Sequence, residues 1–189
     1  MKVRIEKTFA VAAPADAAWA VLRDMEAVAA CMPGARLAER LDDDRHKGTV
    51  TVKFGPATLT FRGEVEVREV DAPRRWLRLF AKGTDTTGTS GAAMDLVARV
   101  EPDGNACRLT GTSETSMSGK AAAFGGRVIN TVADQVLDQF AANFAARAAA
   151  VAAQEPAMPA PSAGELNGFS LAWAAFKAWL RSLFTKTPA

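Results

Sequence analysis

The sequence predicts an α+β fold in which a curved antiparallel sheet wraps around one long C-terminal helix, with a linker and an amphipathic tail helix behind it. Three observations predict it. Apolar residues alternate with polar ones in run after run between residues 37 and 117, separated by short turns. One long helical stripe follows the last of these runs. A Pro/Ala-rich stretch then intervenes before a second, separate helical pattern.

The elements follow in chain order. Val3, Ile5, Phe9 and Val11 stand at even spacing with Arg4 and Glu6 between them, the period of a half-buried strand. Pro14-Ala15-Asp16 opens a helical run in which Ala18, Trp19, Val21, Leu22, Met25 and Val28 recur at three- and four-residue spacing, and Pro33-Gly34 stops it. Val50, Val52 and Phe54 share one strand face, and Leu59, Phe61, Val65 and Val67 share another across Gly63. Leu77 and Leu79 follow, then Met94, Leu96, Ala98 and Val100, then a strand from Leu109 to Met117. Asp42-Asp43-Asp44, Gly55-Pro56, Asp71-Ala72-Pro73 and Pro102-Asp103-Gly104-Asn105 supply the turns, and strands joined so closely pair as an antiparallel meander.

Ser118-Gly119-Lys120 starts the long helix, which reaches about Ala150 with Phe124, Val128, Ile129, Val132, Val136, Leu137, Phe140 and Phe144 as its apolar stripe. Arg127, Asp134, Asp138 and Arg147 fall on or near its polar side. The chain thus divides into a domain at 1–150, a stiff linker at 151–165 carrying Pro156, Pro159 and Pro161, and a tail helix at 166–186.

Bulk properties bound the function. A chain of 189 residues holds one well-buried domain and an appendage. At 49% hydrophobic and 23% charged it is a folding composition, and a net charge of +2 offers no field to select nucleic acid as a partner. Cys31 and Cys107 are far apart, form no CxxC pair and read as reduced, buried residues. The N-terminus lacks the apolar core of a signal peptide, and no stretch offers the roughly 20 apolar residues that span a bilayer, so the expected location is cytoplasmic.

Several motifs together resemble a known family. Phe9-Ala10-Val11-Ala12-Ala13-Pro14 followed by Ala18-Trp19, Cys31-Met32-Pro33-Gly34, Gly55-Pro56 with Phe61-Arg62-Gly63, and Asp71-Ala72-Pro73-Arg74-Arg75 occur in the order found in the carbon monoxide dehydrogenase G-subunit proteins. So does Gly119-Lys120…Gly125-Gly126-Arg127-Val128-Ile129 leading to Ala133-Asp134-Gln135 and Phe140. The resemblance covers residues 2–144, and its specificity lies in order and spacing rather than in any one motif. It implies the helix-grip (START-like) fold and service to a molybdenum hydroxylase of the carbon monoxide dehydrogenase type. It further implies recruitment of that enzyme to the inner face of the cytoplasmic membrane and a bound lipophilic molecule such as a respiratory quinone (menaquinone or ubiquinone), with no covalent cofactor.

No catalytic constellation emerges. His46, the one histidine, stands in Asp44-Arg45-His46-Lys47, which reads as a surface turn, and it forms no metal-ligand cluster with the two cysteines. There is no GxSxG elbow, Gly119-Lys120 lacks the glycine of a phosphate loop five residues earlier, and tyrosine, a common general acid, is absent. Asp95 and Glu114 fall out of register with the apolar faces of their strands. Gly125-Gly126 reads as close helix–sheet packing, or else as close approach of a ligand. The expectation is a protein that is not an enzyme and binds no metal.

A sheet that grips one helix leaves room for an apolar pocket. Its candidate lining is Phe54, Leu59, Phe61, Leu79, Met94, Leu96, Met117, Phe124, Val128, Ile129, Val132 and Val136, although the same residues could simply fill the core. In the tail, Leu166, Phe169, Trp173, Phe176, Leu180 and Leu183 recur at helical spacing, Leu171, Trp179 and Phe184 widen the stripe, and Ser170, Lys177 and Arg181 lie opposite. A basic helix with aromatic and leucine residues on one face suits the interface of a membrane. Phe169, Trp173, Phe176, Trp179, Leu180, Leu183 and Phe184 are the expected apolar contacts, with Lys177 and Arg181 at the headgroups. Docking on a partner enzyme, or back on its own domain, are the alternatives.

Three functions are thereby open. The first is a carrier, peripheral on the inner membrane, that presents a lipophilic ligand to a dehydrogenase. The second is an assembly or anchoring factor without a ligand. The third is a cyclase or hydrolase, which would need polar groups converging inside the pocket, and the strand registers supply none.

Overall fold

The computed structural model describes residues 1–153, in which seven strands form one antiparallel sheet in the order β1-β7-β6-β5-β4-β3-β2. They are β1 (Lys2–Val11), β2 (Ala35–Arg40), β3 (Arg45–Phe54), β4 (Ala57–Asp71), β5 (Trp76–Asp85), β6 (Ser90–Asp103) and β7 (Ala106–Gly119). Strands β2 to β7 are a meander of successive neighbours, and β1 closes the arrangement by pairing with β7 along its whole length, from Lys2↔Ser116 to Val11↔Cys107. The helices are α1 (Ala15–Leu22), α2 (Met25–Cys31) and α3 (Gly125–Ala152).

The apolar runs between residues 14 and 28 make two helices rather than one. Asp24 breaks the run because its carboxylate accepts hydrogen bonds from the backbone N–H groups of Glu26 and Ala27, both at 3.0 Å, and so caps α2. The long helix also begins later than its sequence suggests. Lys120–Phe124 form a turn of 3-10 helix, and Gly125, at φ +78°, changes direction into α3. A Cβ on Gly125 or Gly126 would meet nothing within 4 Å, so neither glycine serves close packing, and the backbone turn explains Gly125. At its far end α3 runs to Ala152, past the expected start of the linker at residue 151. The rest of the linker and the tail lie outside the described residues.

Period-two patterning fixes which face of the sheet is covered. Residues paired across antiparallel strands point to the same side. Val11, Leu109, Val100 and Leu77 are therefore on one face with the other apolar alternants, and α1 and the C-terminal half of α3 cover them. The core is concentrated at this end: Trp19, Val21, Leu22, Leu77, Leu79, Val100, Leu109, Phe140 and Phe144 are all buried, with Cys31 and Cys107 among them. Burial pushes both thiols above their ordinary pKa, which keeps them protonated and unreactive. The Asn143 side chain ties α3 to α2 through a 3.0 Å bond from its amide to the Cys31 carbonyl.

One row of the sheet is almost without side chains. Gly48 pairs with Gly63, Gly63 with Gly83 and Gly83 with Ala92. A Cβ on Gly63 would stand 1.9 Å from the Lys82 carbonyl oxygen, and one on Gly48 would stand 2.6 Å from that of Arg36. The sheet is creased along this row, and the crease turns it around α3.

Candidate functional site

The face of the sheet turned toward α3 is sealed at both ends and less completely between them. At one end is the core described above. At the other, Phe54 stacks on Phe124 with ring centroids 5.0 Å apart, and Ile129 and Ala121 are buried nearby. A buried polar knot fixes this second end. The Asp85 carboxylate accepts from the Ser90 N–H at 2.7 Å and from the Thr87 hydroxyl, while the Ser90 hydroxyl accepts from the Ala121 N–H at 3.1 Å. The Thr87 hydroxyl and the backbone donors hold the Asp85 carboxyl below its ordinary pKa.

Between these ends the apolar side chains are incompletely covered. Leu59 and Phe61 on β4, Met94 and Leu96 on β6, Met117 on β7, and Val132 and Val136 on α3 are each half-buried, and Val128 is 40% exposed. The registers place the strand residues on one face: Val52↔Leu59 and Val50↔Phe61 on one side, Ala81↔Met94, Leu79↔Leu96 and Ala92↔Met117 across the crease. The strand residues share the α3-facing side of the sheet with Gly63, Ala81, Gly83 and Ala92, which carry little or no side chain.

The twelve residues expected to line a pocket thus divide. Phe54, Leu79 and Ile129 are buried in packed contacts, and Phe124 stacks on Phe54 as part of the end seal. The other eight (Leu59, Phe61, Met94, Leu96, Met117, Val128, Val132 and Val136) keep part of their apolar surface uncovered. Covering such surface with an apolar molecule would be favourable. On the β1 side, Lys7 Nζ reaches Asp134 of α3 at 2.7 Å and joins helix to sheet, and the carboxylate holds the ammonium above its ordinary pKa.

His46 departs from its sequence reading. It is not on a surface turn: the turn ends at Asp44, β3 begins at Arg45, and His46 is 6% exposed with its Nδ1 buried and unpartnered. Its pairing with Val65 puts it on the α3-facing side. The signal was present, because His46 shares strand parity with Val50, Val52 and Phe54. The charged residues Asp42 to Arg45 masked it. Ser113, paired with Leu96, and Thr115, paired with Met94, are further polar residues on this face, so it is less uniformly apolar than the registers alone suggested.

The outer face of the sheet carries ion pairs. Asp95 and Glu114 pair there, and the Asp95 carboxylate takes a two-pronged contact from Arg78 at 2.9 and 2.8 Å, which holds its pKa below the ordinary value. A shallow groove of about 460 Å³ runs over the crease on this side, between Arg62, Glu64, Lys82, Thr84, Ala93 and Ser116. Among the described residues no group of three His, Cys, Asp or Glu side chains is placed to hold a metal ion. Among the same residues no helix is long and apolar enough to cross a membrane.

The sequence pattern of the carbon monoxide dehydrogenase G-subunit (CoxG) matches residues 8–149, which include nearly all of the sheet and α3. The chain belongs to the CoxG family. No curated protein matches this CoxG chain. Its fold is the START-like helix-grip fold, shared with solved structures at low identity. A conserved protein from Geobacillus kaustophilus is 20% identical with a TM-score of 0.67, over 79% of this chain and 95% of that one. The ZhuI aromatase/cyclase from Streptomyces sp. R1128 is 19% identical with a TM-score of 0.58, and a norcoclaurine synthase point mutant from Thalictrum flavum is 18% identical with a TM-score of 0.57, each over the same shares. At such identities the likeness to these structures is one of fold.

Proposed function

We propose that this CoxG-family chain is a non-enzymatic, membrane-recruited carrier that holds a lipophilic ligand, a respiratory quinone, between sheet and α3 and serves a molybdenum-containing carbon monoxide dehydrogenase. The observation that carries the reading is the incomplete cover of eight apolar side chains from β4, β6, β7 and α3, among them Leu59, Phe61, Met94 and Met117 on the helix side of the sheet. Burying one large apolar side chain contributes about 1.5–3 kcal/mol, so a partial gain at each of several positions suffices for reversible binding. Met94 and Met117 suit a flexible isoprenoid chain because an unbranched thioether adapts to irregular shapes. The dehydrogenase as partner follows from the family's description. Recruitment to the inner membrane rests on the tail's composition, with Trp173, Phe176, Trp179 and Leu180 against Lys177 and Arg181.

The deciding experiment is native mass spectrometry with organic extraction of the protein purified from its own membranes. Near-stoichiometric quinone is the expected result. Protein that arrives without quinone, and whose four tryptophans do not quench on quinone titration, overturns the carrier and leaves a ligand-free assembly or anchoring role.

A further inference from the structure

We infer that His46 is the polar anchor of the bound molecule, its Nδ1 hydrogen-bonding the neutral carbonyl or hydroxyl head of an otherwise apolar ligand. The inference deepens the carrier reading and rests on it. A buried ring nitrogen without a partner is rare in native proteins, because its lost hydration is not replaced. His46 is such a group, at 6% exposure. Its place in the sheet says what could satisfy it. Across the α3-facing side, the registers align His46 with Val65, Ala81, Met94 and Thr115. The adjoining row is the crease, Gly48, Gly63, Gly83 and Ala92. The imidazole therefore stands beside Val65 and one step along the strand from the glycine row, and a planar head lying over Gly48, Gly63 and Gly83 would come within its reach.

The charge on this face selects the head group. Arg40, paired with His46 across β2 and β3, is engaged by Asp42 and Asp43, Lys7 by Asp134, and Asp85 by Ser90 and Thr87. A carboxylate or ammonium head would be desolvated beside groups already committed elsewhere, whereas a neutral carbonyl or hydroxyl needs one hydrogen-bonding partner. Imidazole suits both forms of such a head: with the proton on Nδ1 it donates to a carbonyl, and with the proton on Nε2 its Nδ1 accepts from a hydroxyl.

The full chain has a single histidine, so 15N-imidazole labelling gives one pair of ring resonances. The probes are a short-chain naphthoquinone and the alkylnaphthalene of matched chain length, which lacks the two carbonyls. The quinone is expected to bind about five- to tenfold tighter, the worth of one net hydrogen bond, and to shift the Nδ1 resonance while the naphthalene does not. His46→Leu is expected to abolish the preference without weakening the naphthalene, and His46→Gln to keep part of it. Quinone binding with an unmoved Nδ1 resonance, or a preference retained in a folded His46→Leu, overturns the anchor and leaves the carrier standing. Wild-type protein that binds neither probe overturns the carrier reading as well. Should His46→Leu fail to fold, the resonance of the wild-type protein decides.

Discussion

Replacing Gly63 by alanine tests whether the crease is a steric requirement of the sheet. The added methyl would stand 1.9 Å from the Lys82 oxygen, 2.6 Å from the Gly83 Cα and 2.8 Å from the Lys82 carbonyl carbon. All three atoms are backbone, so no side chain can swing aside. To restore the 3.0 Å below which Cβ contacts are essentially never seen, β4 and β5 must part by about 1.1 Å (3.0 − 1.9). Overpacking of this kind costs about 1–3 kcal/mol, and each ladder hydrogen bond stretched to relieve it forfeits about 1 kcal/mol. Against this, alanine restricts the unfolded chain and returns about 0.4–1 kcal/mol. The expected net loss is about 1–4 kcal/mol, read as a lower midpoint in urea denaturation at unchanged slope. Gly83→Ala is the internal control: it lies in the same row, but its Cβ would meet the Arg62 oxygen at 3.0 Å, so it should lose about 1 kcal/mol or less. A Gly63→Ala protein within about 0.5 kcal/mol of wild type, or one no worse than Gly83→Ala, would refute the steric account of the crease.

Three further outcomes are expected. Phe144, 0% exposed at the centre of the core, should cost about 3–5 kcal/mol when truncated to alanine, read by the same denaturation. Because the Asp85 carboxyl titrates below its ordinary 3.8, its contribution to stability is present above that pH and lost as the pH falls toward the folded-state value. Asp85→Asn should therefore flatten the loss of stability between pH 5 and pH 3, and an unchanged pH profile would refute the role assigned to the knot. A chain ending at Glu155 should keep the far-UV spectrum of the domain and lose cosedimentation with anionic phospholipid vesicles. Retained cosedimentation would transfer the membrane contact from the tail to the domain.

Strand periodicity made most of this fold legible in the sequence, because a sheet covered on one face enforces apolar alternation residue by residue. That pattern located β1, β3 and the long strands β4 to β7. It failed where two signals overlapped. The apolar positions Val21, Leu22, Met25 and Val28 keep helical spacing straight across Asp24, so periodicity alone could not reveal that Asp24 caps a new helix. The start of α3 was obscured because Phe124 fits the helical stripe although it belongs to the preceding 3-10 turn. Which of the twelve candidate positions are packed and which are only half-covered was not legible in the sequence. Whether Leu79 is sealed and Leu96, its pair across β5 and β6, only half-covered depends on where α3 passes over the sheet, which no local pattern encodes. His46 was hidden by composition: the charged neighbours outweighed a parity that pointed inward.

The closure of the sheet by β1 has a consequence for how the protein is made. Strands β2 to β7 each meet a partner within a few residues of leaving the ribosome, but β1 is synthesised first and pairs with a strand about a hundred residues later, as in Phe9↔Leu109. Until β7 emerges, a strand apolar on one face and with unsatisfied backbone groups is exposed to other nascent chains, and Phe140 and Phe144 arrive later still to complete the core. The rate of folding should thus be governed by one long loop closure superimposed on an otherwise local meander.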